Sequence, residues 1–450
     1  MTHWACDAVF YHIYPLGLSG APPQNDGTSA PTPRLAEIHD WIGHMRDLGV
    51  NALYLGPLFE SSAHGYDTAD FYRVDRRLGD DQTLADLAQA LHQAGIRLIL
   101  DGVFHHVGRD FWAFRDLQAN GANSAYCDWF VDLDFNRRSP YDDAFSYAGW
   151  HGHYDLVKLN LSHPDLRAHL FDAVRMWFAR YRIDGLRLDV AESIDPAFLR
   201  DLAALCRELR PDAWLLGEQI HGDYRRMTDQ GKLDSATNYE LYKGLYSSLN
   251  DGNYFEIAYA LNRQFGAGGI YRNLPLFNFV DNHDVARVAS VLTNPAHLYP
   301  LYVLLLTMPG VPAIYYGSEW GIGGVKQHDD WPLRPRLIPD QAAATAPQPD
   351  LAPVITHLAA LRHELAALRH GDYTQLHVAA QQLAFARSHA DQQVIVALNA
   401  DQAPASLAIP VDLPAGTTLR DALNPGDSFV VQNGRLELSV PANWARVLTL

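Results

Sequence analysis

Arg187 and Asp189 stand two residues apart in the run GLRLDVAE (185–192), among neighbours that are mostly apolar. Side chains alternate faces along a strand, so this pair points one way while Leu186, Leu188 and Val190 point the other. A cation beside a carboxylate keeps it ionised, and near the C-terminal end of a strand such a group is suited to nucleophilic attack. A structural ion pair fits the same two residues. Other polar residues bear on the choice: Asp101, His105 and His106 in LDGVFHH, Glu218 in LLGEQI, and Asp281 to Asp284 in FVDNHD each follow a short β-like run. Three carboxylates at matching depth on separate strand ends, Asp189, Glu218 and Asp284, are rarely all structural.

The elements that must position them are legible as a β/α rhythm over roughly the first 370 residues, which implies a parallel sheet or barrel. Strands are expected at Ala8 to Tyr14, Ala52 to Leu55, Arg97 to Asp101, Gly185 to Asp189, Trp214 to Gly217, Asp234 to Thr237, Leu276 to Phe279 and Ala313 to Tyr316. Eight strands predict an α/β fold, a (β/α)8 TIM barrel, whose polar strand ends gather at one mouth. Amphipathic stretches such as TLADLAQALHQAG and LRAHLFDAVRMWFARY supply the intervening helices. Residues 107–156, rich in aromatics and Asp, are too long for a simple loop and read as a subdomain inserted after the third strand. The barrel then comprises 1–106 and 157–371. From 372 to 450 short alternating strands with Gly, Pro and Asp turns predict a C-terminal antiparallel β-sandwich.

The formal net charge of −17, from 52 acidic and 35 basic residues, argues against nucleic acid and anionic membranes and for a neutral small-molecule partner. The only cysteines, Cys6, Cys127 and Cys206, form no disulfide framework and no metal spacing. With no apolar run long enough for a bilayer and no signal-peptide pattern, the expected location is cytoplasmic. Oligomeric state is not legible.

The motifs taken together resemble the α-amylase family, glycoside hydrolase family 13. DGVFHH, GLRLDVAE, LLGEQI and FVDNHD look like its four conserved regions, in order and on the expected strands, joined by VKLN (157–160) and GVPAIYYGSEWG (310–321). The resemblance covers essentially the whole chain and implies a retaining glycosidase acting on α-glucosidic bonds. It makes Asp189 the nucleophile, Glu218 the general acid/base and Asp284 the carboxylate that holds and distorts the sugar. His106 and His283 would bind sugar hydroxyls, Tyr66 would stack on the ring being cleaved, and Asp101 and Arg187 would also bind the substrate. Asp67 and Arg334 match positions that close around the non-reducing sugar. The chemistry agrees: retention needs one ionised and one protonated carboxyl flanking the bond. Arg187 is expected to lower the pKa of Asp189, and burial with two neighbouring anions to raise that of Glu218.

Many α-amylases carry a calcium-ligating asparagine where this chain has His105, a departure that argues against calcium; no other cofactor is implied. His105, His151 and His153 could hold a transition metal or line a sugar cleft. The VKLN variant and GPLFESSAHGYDTADFYRVD look most like the neopullulanase and cyclomaltodextrinase branch, whose members usually carry an additional N-terminal β-domain. Short, branched or cyclic α-gluco-oligosaccharides are the expected substrates. A transglycosylase, a catalytically dead amylase-like scaffold and a non-catalytic α-glucan binder, the last using aromatics such as Trp129, Phe130 and Trp150, are the alternatives.

Overall fold

The computed structural model describes residues 3–229 and 231–450. Eight parallel strands form the catalytic sheet: β1 (Phe10–Ile13), β2 (Ala52–Leu55), β3 (Arg97–Gly102), β4 (Gly185–Leu188), β5 (Trp214–Gly217), β6 (Ser235–Ala236), β7 (Phe277–Asn278) and β8 (Val311–Tyr315). Their order is β6-β5-β4-β3-β2-β1-β8-β7, and a parallel bridge between Thr237 and Phe277 joins the two edges into a barrel. All eight expected strands are present, with β6 and β7 reduced to two residues each.

Period-two alternation sorts these strands into two layers of packing. Val9, Tyr11, Ile13, Leu53, Leu55, Leu98, Leu100, Leu186, Leu188 and Leu215 join the core beneath the helices. Phe10, Ala52, Ile99, Trp214, Leu216, Phe277 and Ala313 fill the barrel interior. One step further along, the inward positions turn polar: His12 on β1, Tyr54 on β2, Asp101 on β3 and Arg187 on β4, all buried. The lower barrel is thus an apolar plug and its upper layer a buried ionic one. Sequence periodicity also places the outer helices. Asp81–Gln93 is capped by Asp80, whose carboxylate accepts from the Thr83 N–H at 2.8 Å, and it buries Leu84, Leu87, Ala88 and Leu91 at helical spacing.

After β3 the chain makes a three-stranded antiparallel sheet from His106–Gly108, Gly149–Trp150 and His153–Lys158, with the helix Trp112–Asn120 beside it. His106, paired with Lys158, begins this sheet, so the insertion is anchored at the barrel mouth. The C-terminal region is an eight-stranded antiparallel sheet. Along Gln382–His389, Leu383 and Phe385 pack with the barrel core while Ala384 and Ala386 face a separate core with Ile395, Leu407 and Leu436. No helix among the described residues is long and apolar enough to cross a membrane.

Gly185 is demanded by the barrel interior. A Cβ there would sit 2.0 Å from the Trp214 carbonyl oxygen, a ladder atom of β5 that cannot rotate away. Gly185→Ala should therefore destabilise the fold by about 3 kcal/mol, read as a lower urea midpoint at unchanged slope.

Candidate active site

Strand register assembles the site. Asp101 lies directly opposite Arg187 in the β3–β4 ladder, and Leu216 lies opposite Arg187 in the β4–β5 ladder. The backbone continues one step past each strand, with the Asp189 N–H on the Gly102 carbonyl at 3.1 Å and the Glu218 N–H on the Leu188 carbonyl at 2.9 Å. Arg187, 3% exposed, is thereby set among three carboxylates. Its Nη1 donates to Asp101 at 2.9 and 3.1 Å and to Asp189 at 3.0 Å, and its Nη2 lies 2.9 Å from Glu218 Oε1. The second Glu218 oxygen accepts the backbone N–H of Val190 at 2.9 Å.

That last bond has a backbone cost. Val190 adopts φ 39° and ψ 42°, the left-handed region that β-branched residues rarely enter. The turn directs its N–H at Glu218 immediately after the strand that carries Asp189.

Each sequence-predicted residue can be placed. Asp101 is 2% exposed, and its oxygens are taken up by Arg187, by the Tyr54 hydroxyl at 2.7 Å and by the Tyr66 hydroxyl at 3.2 Å. It holds Arg187 and Tyr66 in place and presents no free face to a substrate. The Tyr66 hydroxyl also bonds His283 Nε2, and the two rings stack at 5.5 Å. His283 Nε2 lies 2.9 Å from Asp284 Oδ2, while Asp284 Oδ1 accepts from Arg334 Nη2 at 3.0 Å. His106 Nε2 is buried, makes no hydrogen bond and sits 3.9 Å from Asp189 Oδ2; His283 Nδ1 is likewise without a partner. These two orphaned ring nitrogens are suited to sugar hydroxyls. Trp150 of the insertion lies with its ring 6.1 Å from that of His106.

Asp67 and Arg334 are both buried but make no ion pair with each other. Asp67 caps its own loop, accepting from the Gly65 N–H at 3.1 Å with His64 Nδ1 at 3.7 Å. Arg334 is drawn instead to Asp284, to the His283 carbonyl at 2.9 Å and to the Tyr14 hydroxyl at 3.3 Å, with its guanidinium 4.4 Å above the Tyr14 ring.

The electrostatics divide the carboxylates. Burial raises the pKa of Glu218, with Asp284 reinforcing the shift, as expected. Asp189 departs from expectation. Burial pushes it well above the usual carboxylate range, and the attraction of Arg187, shared with Asp101 and Glu218, does not reverse the shift. Asp284, about a third exposed, goes the other way: burial opposes ionisation, but His283 and Arg334 together hold it well below its ordinary value. Burial, then His105 and His64, pushes His106 down to about 3, so it is neutral. His105 is pushed down to about 4 by burial and by its neighbours Lys158 and His151. An ammonium beside an imidazole is a poor setting for a hard cation, and among the described residues no three His, Cys, Asp or Glu side chains gather as metal ligands. The residues around His105 do not fit calcium.

Several contributors escaped the sequence reading. Tyr54 was findable, since it is the inward, polar-tipped position of β2. Tyr14, stacked on His283 at 5.7 Å, was findable by the same rule, as the next inward position after His12, whereas the Val190 N–H is backbone and no side-chain type marks it.

A model of the α-amylase catalytic domain matches residues 24–352, and one of the neopullulanase-like C-terminal domain matches 373–444. The chain is 32% identical to a cyclomaltodextrinase of Geobacillus thermopakistaniensis, over 97% of this chain and 76% of that protein. It is equally 32% identical, over the same shares, to neopullulanase 2 of Thermoactinomyces vulgaris. Among solved structures, a cyclomaltodextrinase superposes with a TM-score of 0.87 at 27% identity, covering 99% of this chain and 78% of that one. A cyclic α-maltosyl-(1→6)-maltose hydrolase from Arthrobacter globiformis gives 0.82 at 27% identity, covering 100% and 99%.

A raised carboxyl is a stability cost with a defined pH window. Below the unfolded value near 3.9 both states are protonated and Asp189 costs nothing; the cost grows as pH rises through its folded value. Asp189→Asn should therefore melt at a higher temperature than the parent at pH 8, with the difference shrinking toward pH 4. An equal or lower melting point at pH 8 would show that Arg187 outweighs burial.

Proposed function

Because the chain belongs to the α-amylase family, glycoside hydrolase family 13, and is a glycoside hydrolase, we propose how its residues divide the reaction and which substrates it takes. Asp189 is the nucleophile. Its attack on the anomeric carbon forms a covalent glycosyl-enzyme while Glu218 gives its proton to the departing oxygen; Glu218 then takes a proton from the incoming water. The observation that carries this reading is the Arg187 fork, with Asp189 on one nitrogen and Glu218 on the other. Two carboxyls held by one guanidinium suit the short separation of about 5 to 5.5 Å that retention uses. Asp284, ionised by His283 and Arg334, receives sugar hydroxyls, with Tyr66 stacked beneath the ring and the free nitrogens of His106 and His283 at its edge.

The substrate reading is a short or cyclic α-gluco-oligosaccharide, hydrolysed rather than transferred. It is supported by the names of the relatives, which include cyclomaltodextrinases and a cyclic maltosyl-maltose hydrolase, and by Arg334, which walls one side of Asp284. Free cysteines at positions 6, 127 and 206 favour a cytoplasmic enzyme.

Proton NMR of the first reducing sugar released from an α-linked substrate tests the mechanism. The α-anomer is expected, and initial release of the β-anomer would remove the nucleophile assignment. In the same assay Asp189→Asn should lose at least about a thousandfold in turnover. Catalytic efficiency should be higher on a cyclodextrin or maltotriose than on soluble starch; a preference for starch would overturn the substrate reading. Activity and melting temperature should survive treatment with a chelator, since the residues around His105 do not suit calcium.

A further inference from the structure

At the opposite end of the barrel from the carboxylates, a pocket of about 280 Å³ lies where the approaches to β7 and β8 meet the first C-terminal strand, Asp372–Val378. In a chain of net charge −17 its lining is conspicuously basic, contributing Arg272, Arg369, His370 and Arg387. Three of these side chains already have a carboxylate. Arg272 forks onto Asp372, and Arg369 shares Asp7 with His370.

Arg387 is different. It is 1% exposed, pairs with no carboxylate, and donates only to the carbonyls of Gly371 and Thr307. Behind it Arg362, wholly buried, donates only to the carbonyls of Leu306, Leu368 and Gly310. Those carbonyls include the C-terminal end of the helix Leu298–Thr307, whose dipole offsets part of the charge. Asp372 and Asp7 attract the two guanidiniums from a distance, but each aspartate is paired with another side chain. Burial, then the neighbouring guanidinium, pushes Arg387 down to about 9, and burial, then Arg369, pushes Arg362 down to about 10; both stay charged at neutral pH.

Two further donors at this pocket lack acceptors. The Tyr373 hydroxyl, on a residue 3% exposed, and Arg369 Nε are both buried and without partners. Unmet donors, and buried cations with only carbonyls for company, are what an oxyanion satisfies and what a sugar hydroxyl or an apolar ligand does not.

We propose that this pocket is a binding site for a phosphoryl group, remote from catalysis, with Tyr373 and Arg369 donating to its oxygens and Arg387 supplying the balancing charge. The group can arrive as free inorganic phosphate or on a phosphorylated sugar; the pocket is large enough for either.

Differential scanning fluorimetry on the full chain tests this with inorganic phosphate, glucose 6-phosphate and glucose, each against sodium chloride at matched ionic strength. Inorganic phosphate should raise the melting temperature saturably. Glucose 6-phosphate acting at lower concentration would identify the sugar ester as the source, and equal potency would identify free phosphate; glucose should do nothing. Tyr373→Phe, which removes one hydroxyl and keeps the ring, and Arg369→Gln should each weaken the apparent affinity about tenfold or more, while Arg175→Gln, on an exposed helix face, should not. A shift no larger than that with chloride, or one unchanged in both pocket variants, would overturn the proposal and leave the pocket holding water only.

Discussion

Everything at the barrel mouth depends on one buried guanidinium. Arg187 touches Asp101, Asp189 and Glu218 at once, from a position where water reaches almost nothing. A lone buried cation costs several kcal/mol in desolvation, so Arg187 is tolerable only with carboxylates around it. Arginine suits the task because its planar fork fixes directions as well as charge; an ammonium could neutralise one partner but could not space three. Asp101 completes the arrangement from behind. Its carboxylate is consumed by Arg187 and two tyrosine hydroxyls, leaving the other two carboxyls to face the cleft.

The fold pays for this layer with the apolar plug beneath it. Phe10, Ile99, Trp214 and Phe277 close the barrel floor, and Gly185 leaves room for β5 to approach β4. Because register makes Asp101 and Arg187 direct cross-strand neighbours, the ion pair sits on the most rigid element available and not on a loop. Asp284 is supported differently. It follows the short β7, and its geometry comes from His283, Arg334 and the tyrosines stacked around them. Two carboxyls are thus fixed through β4 and β5 and the third by side-chain packing.

What the sequence disclosed follows from which physical rules are local. Alternation and strand ends located all eight strands and placed Asp189, Glu218 and Asp284 at one mouth, because both depend only on residue order. The short β6 and β7 blurred only boundaries. Quantities set by several partners were not legible. Arg187 beside Asp189 suggested a lowered pKa, but the cation is divided among three carboxylates and burial prevails. Asp67 and Arg334 looked like a pair, yet Arg334 goes to Asp284, a choice decided by the His283 carbonyl and the Tyr14 ring. The Val190 turn left no trace, since no side-chain type announces a β-branched residue at positive φ.

The raised pKa values of Asp189 and Glu218 can be reconciled with a reaction that needs one of them ionised. Both shifts have burial as their main cause, with Glu218 adding to that of Asp189 and Asp284 to that of Glu218, so a proton on Glu218 removes one of the charges that oppose ionisation of Asp189. With Glu218 protonated, Asp189 is the carboxylate left to ionise in a setting where burial outweighs the pull of Arg187. Glycosidic cleavage passes through a transition state with positive charge growing at the anomeric carbon, between the carboxyls of Asp189 and Glu218. That charge attracts an ionised Asp189 only as the bond breaks, so the ground state does not share the benefit. The burial that makes the Asp189 charge costly to the resting fold also strengthens its attraction to the transition state.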